Sequence, residues 1–252
     1  MKLEKKVFRN SGVEMSYAAF GKGKPVMFLH GAGITATPYK KSLEMLSQKY
    51  FVIAPDLTCL IKPGTTKKIW ALPEYAEFMN KFIDSLRLTR ISIIGHSFGG
   101  GIAIYMAAKN KKISRLVLVD STGMQTSQPM LKMCYVFIIK KNLANIFMYD
   151  SKGPMVGIIT DFLSTMSRKL LLLPIIIKVL KKTVLDRHAV LSEIKTPTLI
   201  LWGDKDELFP LQAAKALSKK IHKSTLRIVK GNHDWCIFKP EEFSGAVAGF
   251  IK

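Results

Sequence analysis

Cysteine is scarce in this chain. Its three copies, Cys59, Cys134 and Cys236, are odd in number and far apart. That spacing fits neither a disulfide framework nor a zinc site, so reduced thiols in a cytoplasmic protein are expected. Histidine is also sparse, at five copies without an H-E-x-x-H pair, which argues against metal-dependent hydrolysis. The opening residues Met1-Lys2-Leu3-Glu4-Lys5-Lys6 carry charge without a following apolar stretch, which argues against a secretory signal. The apolar run Leu170–Ile177 is eight residues, broken by Pro174, and too short to span a bilayer. Internal repeats and low-complexity linkers are lacking.

Acidic residues are few as well: 18 Asp and Glu stand against 39 Lys and Arg, a net charge of +21. Lysine doublets at 40–41, 67–68, 111–112, 140–141, 181–182 and 219–220 are scattered over the whole length. No basic block with interleaved aromatics occurs, so nucleic acid is not an expected partner. The pattern reads as a solubilising surface, with weak attraction to an anionic membrane surface left open.

What is present is a core. With 252 residues, 48% hydrophobic and 23% charged, the chain suits one globular α/β unit. A hairpin is predicted at the amino end, from Val7-Phe8 and Met15–Ala18 around Asn10-Ser11-Gly12. Six near-continuous apolar runs follow, at 26–29, 50–54, 91–94, 116–119, 198–201 and 225–229. Such runs indicate strands buried on both faces, hence a doubly wound, mostly parallel sheet. Helices are predicted at 38–48, 73–86, 99–109, 210–220 and 240–251. The second carries an apolar stripe of Tyr75, Phe78, Met79, Phe82, Ile83 and Leu86. Alternation fails only between Met124 and Leu191, where helix-like patches (133–139, 144–149, 170–180) replace any strand. We therefore expect a core of residues 1–123 and 192–252, with a helical cap, 124–191, inserted after the sixth strand.

Chemistry concentrates at the predicted strand ends. Gly95-His96-Ser97-Phe98-Gly99 follows the run Ile91–Ile94 and opens a helix-like segment. A serine on so tight a turn is strained, and its hydroxyl projects clear of the sheet. His233 lies just after the last strand, in Gly231-Asn232-His233-Asp234. Asp204 and Asp206 follow the strand before it, and Asp120 ends the sixth. Nucleophile, base and acid thus come in the order serine, aspartate, histidine. His30 and His96 sit in turns, where structural hydrogen bonds are expected. His222 is flanked by lysines, and His188 lies in the cap.

These motifs resemble the α/β-hydrolase superfamily, from His30-Gly31 to the His233 loop. The resemblance implies a Ser97–His233–Asp206 triad, the acid standing three residues after the glycine that closes its strand. It implies an oxyanion hole from the backbone of Phe98 and Ala32, with Gly33 as the competitor of Ala32. It implies no metal or organic cofactor. One departure is the turn Asp56–Gly64, which lacks the arginine- and glycine-rich form that many members carry there. A serine at position 97 argues against the aspartate-nucleophile branches. The expected activity is cleavage of carboxylic esters with small to medium apolar acyl groups. C–C bond or thioester cleavage, acyl transfer and perhydrolysis are alternatives on the same triad, and a non-catalytic ligand receptor is an alternative on the same fold. The cap is expected to choose the substrate. Between Met124 and Leu191 ten Lys and Arg face three Asp and Glu, and Arg168, Lys169, Lys178, Lys181 and Lys182 flank the run 170–177.

Overall fold

The computed structural model describes residues 5–32, 34–57, 70–124, 129–140 and 188–252. At the amino end β1 (Lys5–Asn10) and β2 (Val13–Phe20) form the predicted hairpin. Ser11 and Gly12 both adopt positive φ, 50° and 78°, which matches the right-handed twist of the flanking strands across a two-residue turn. The apolar runs become β3 (Lys24–Leu29), β4 (Tyr50–Pro55), β5 (Ile91–His96), β6 (Ile113–Val119), β7 (Thr198–Gly203) and β8 (Ser224–Val229). The sheet order is β1-β2-β4-β3-β5-β6-β7-β8, parallel from β4 onward, with β1 and β2 antiparallel.

Alternate residues of each central strand enter opposite cores. Met27 and Leu29 of β3, Ile93 of β5, Leu116 and Leu118 of β6, and Ile200 and Trp202 of β7 face one side. Helices α1 (Lys40–Ser47), α6 (Trp235–Phe238) and α7 (Pro240–Phe250) cover the other, where Val26, Phe28, Ile94, Val117, Val119, Leu199 and Leu201 lie. Helices α2 (Leu72–Ser85), α3 (Phe98–Lys109) and α5 (Leu211–Lys220) close the first core. The α2 stripe is buried as its spacing predicts, although Leu86, just past the helix end, is only partly covered. Burial of α3 on every side from Phe98 to Ala107 explains why its sequence is apolar without a polar face.

Two differences from expectation have physical reasons. The first predicted helix begins as a 3-10 turn, Thr37–Tyr39, set by Pro38, before α1 takes over. The last strand is not buried on both faces. As the sheet edge, β8 has one neighbour, and Ile228 is exposed.

Between β6 and β7 the described residues are helical: α4 (Met130–Tyr135), a π-helical continuation Val136–Lys140, and a 3-10 segment His188–Glu193. Met133 and Val136 are buried against the first core. The other cap patches, the run 170–177 with its flanking cations, Cys59, Gly33 and the turn beyond Leu57 lie outside the described residues. Among the described residues no helix is long and apolar enough to cross a membrane.

Phe82 of α2 is fully buried between Phe8 and Tyr17, 5.0 and 4.8 Å away between ring centroids. Phe82→Ala is expected to cost about 3–5 kcal/mol. Urea unfolding should show this as a lower midpoint at unchanged slope.

Candidate active site

Parallel strands deliver their carboxyl ends to one edge of the sheet, and the order reverses at β3, between β4 and β5. Loops after β3, β5, β6, β7 and β8 therefore meet over one crevice. His30, Ser97, Asp120, Asp206 and His233 all lie on these loops, and all are buried.

Ser97 sits between β5 and α3 with φ 53° and ψ −119°, a conformation costing a non-glycine residue about 1–3 kcal/mol. Neighbouring bonds hold it there. Its N–H donates to Val119 O at 2.9 Å, and its carbonyl accepts from Gly100 N at 3.0 Å and Thr122 N at 3.1 Å. The turn is also packed to backbone contact. A Cβ on Gly95 would stand 2.6 Å from Gly100 Cα, and one on Gly99 would strike the Leu29 and His30 carbonyls.

His233 joins the serine to an acid. Its Nδ1 lies 2.8 Å from Asp206 Oδ2 and its Nε2 lies 3.0 Å from Ser97 Oγ. A carboxylate only accepts, so Nδ1 carries the proton and Nε2 is left to accept the Ser97 O–H. The second oxygen of Asp206, Oδ1, accepts from Leu208 N at 2.8 Å and Phe209 N at 3.0 Å. Asp204 is elsewhere: it accepts from Gly231 N and ties the β7 and β8 loops together. Asp120 lies behind Asp206. Its Oδ1 accepts from Gly203 N at 2.8 Å and its Oδ2 from Trp235 Nε1 at 2.6 Å. Burial first, and the Asp206 charge second, push the Asp120 carboxyl well above the usual carboxylate range.

The turn histidines are structural, as expected. His96 Nε2 donates to the His233 carbonyl at 3.0 Å, which leaves Nδ1 to accept from the Tyr39 hydroxyl at 2.6 Å. Burial holds that hydroxyl well above the ordinary phenol range, so it remains a donor. His30 Nδ1 donates to Gly31 O, and its Nε2 accepts from Leu57 N.

The loop after β3 lies against the elbow, since a Cβ on Gly31 would stand 3.4 Å from Ser97 Cβ. Phe98 N–H is the first orphan donor of α3. Among the described residues neither it nor Ala32 N–H has a protein acceptor. The arrangement can thus move a proton from a serine to a buried histidine. Residues invisible to motif reasoning complete the site: Tyr39, Thr122, Trp235 and the Leu208–Phe209 amides. Trp235 stands two places after His233, Leu208 and Phe209 two and three after Asp206, and Thr122 two after Asp120, whereas Tyr39 lies far from any of these motifs.

A model of the alpha/beta hydrolase family matches residues 26–246, a span holding every residue of this crevice. The chain belongs to the alpha/beta hydrolase family. Over 113 residues it is 30% identical to an uncharacterized protein of Mycobacterium tuberculosis, covering 44% of this chain but only 33% of that protein. Over 238 residues it is 27% identical to Lipase 1 of Psychrobacter immobilis, covering 84% of this chain and 72% of that lipase. Among solved alpha/beta hydrolase neighbours, a bacterial membrane phospholipase A superimposes with a TM-score of 0.82 at 18% identity. That match covers 99% of this chain and 86% of the other, and at this identity it speaks for the fold alone.

Gly95→Ala tests the packing of the elbow. Overpacking against backbone that cannot give should cost about 1–3 kcal/mol. Chemical denaturation would measure it, and the same variant should lose reactivity at Ser97.

Proposed function

We propose that the protein is a serine hydrolase that cleaves carboxylic esters of small to medium apolar acyl groups through an acyl-enzyme. The observation that carries this reading is the unbroken chain of hydrogen bonds from Ser97 Oγ through His233 to Asp206, mounted on a strained elbow. In the reaction His233 takes the Ser97 proton as Oγ attacks the ester carbonyl carbon. Asp206 holds the imidazole tautomer and stabilises the imidazolium that forms. Phe98 N–H and Ala32 N–H receive the developing oxyanion. Collapse breaks the ester C–O bond, and His233 returns the proton to the leaving alcohol. Water, deprotonated by His233, then attacks the acyl carbon and releases the acid, regenerating Ser97.

An apolar acyl group suits the aromatic surroundings of the triad: Phe209 stands 5.5 Å from the His233 ring, and Phe98, next to Ser97, packs edge-on against Tyr75. Ester specificity also accords with the name of Lipase 1. The cap sequence adds the apolar run 170–177.

A fluorophosphonate probe should label Ser97, and Ser97→Ala should abolish labelling and lower kcat by about a millionfold. Ester turnover by the alanine variant would overturn the assignment. Wild-type protein that resists labelling yet binds apolar ligands would instead be a receptor. For acyl preference, kcat/KM on p-nitrophenyl octanoate should exceed that on the acetate by at least about tenfold, given ~0.8 kcal/mol per buried methylene. Equal values, or faster cleavage of a vinylogous diketone than of any ester, would refute the preference.

A further inference from the structure

The mechanism above uses one buried carboxyl, yet the crevice holds two in contact. Asp120 is fully buried, and its carboxyl lies beside that of Asp206. One oxygen from each, together with a His233 nitrogen, lies within a 4.8 Å cluster. The donors are unequally divided. Asp206 receives three N–H groups, from Leu208, Phe209 and His233. Asp120 receives two, from Gly203 and the Trp235 indole. Among the described residues no lysine or arginine pairs with either. The titratable groups facing Asp120 are Asp206 from the β7 loop, His233 from the β8 loop and, through its charge, Tyr39 ahead of α1. Two touching carboxylates without a cation cannot both ionise in so dry a place.

We propose that Asp120 and Asp206 share a single proton carried by Asp120, whose O–H donates to the Asp206 carboxylate and so holds it toward His233. Asp120 is thereby a positioning residue, acting on the reaction only through Asp206. It also answers its own burial: neutral, it needs no counter-ion, and its remaining lone pairs still accept from Gly203 and Trp235. The inference rests on Asp206 as the acid of the relay, but the proton can be observed without turnover.

Carbon-13 NMR of the unmodified protein, labelled at the aspartate side-chain carboxyls, should show one resonance at the protonated position at neutral pH. Asp120→Asn should remove that resonance, and Ser97→Ala should keep it. If every aspartate of the wild type titrates in the ordinary acidic range, the proposal falls. The linkage has a definite sign. Because Asp120 holds its proton more tightly folded than unfolded, wild-type stability should decline as pH rises above about 4 toward the folded value. Asp120→Asn lacks that titration, so its Tm relative to wild type should climb as pH rises above about 4. A constant difference would contradict a shared proton. In kinetics, Asp120→Asn preserves a neutral donor to Asp206 and should cost no more than about tenfold in kcat. Asp206→Asn should cost about 10⁴-fold. Equal losses would show that Asp120 works ionised and overturn the proposal. A persistent NMR signal in a protein without ester turnover would overturn the hydrolase reading alone.

Discussion

The 2.8 Å hydrogen bond between His233 and Asp206 sets the terms for the rest of the molecule. The Asp206 side chain has no solvent exposure and that of His233 is 4% exposed, so water contributes almost nothing to the pair. A charge so placed costs several kcal/mol in lost hydration unless the protein replaces it. Here the replacement is backbone: the chain turns sharply after β7 and aims Leu208 and Phe209 N–H at the second carboxylate oxygen. That turn is useful only if β8 ends beside it. The parallel register of Gly203 with Val229 brings the two loops level, and Asp204 clasps Gly231 across the gap. Sheet order and active-site electrostatics are therefore one constraint.

Ser97 obeys a second constraint, of space rather than charge. Its positive φ persists because the turn is locked between β6, through Val119 and Thr122, and the end of β3, against which Gly99 is pressed. His96 spans the remaining side, linking the His233 carbonyl to Tyr39 and hence to the segment ahead of α1. Ser97 and His233 are thus positioned by the same buried residue, His96. Geometry of this kind comes from rigid elements, not from the loops' own preference.

The strands, most helices and the candidate site residues were legible because each left a local trace. Continuous apolar runs marked β3 to β7, and the stripe of α2 marked its buried face. The glycine-flanked serine marked the elbow. What stayed hidden was non-local. Nothing near Tyr39 says that its hydroxyl will meet His96, 57 positions away in sequence. The strand-end position of Asp120 made it a rival for the acid, and only tertiary packing shows it bonded to Gly203 and Trp235 behind Asp206. The edge exposure of β8 follows from its place at the end of the sheet order, which no pattern within 224–229 could report.

The scarcity of acids first seen in the sequence takes on meaning at this crevice. Several exposed acids on the described surface pair with lysines and arginines, as in Arg9–Glu14, Lys41–Glu241, Lys81–Glu77 and Lys140–Glu207. Such exposed pairs contribute little each. Three of the few aspartates, Asp120, Asp206 and Asp234, are instead buried around His233. Despite 39 Lys and Arg in the chain, none of the described ones is buried. Burying an unpaired cation would cost several kcal/mol, so the excess charge is carried in solvent. Asp120 and Asp206 are accordingly satisfied not by lysine or arginine but by backbone, indole and imidazole N–H groups.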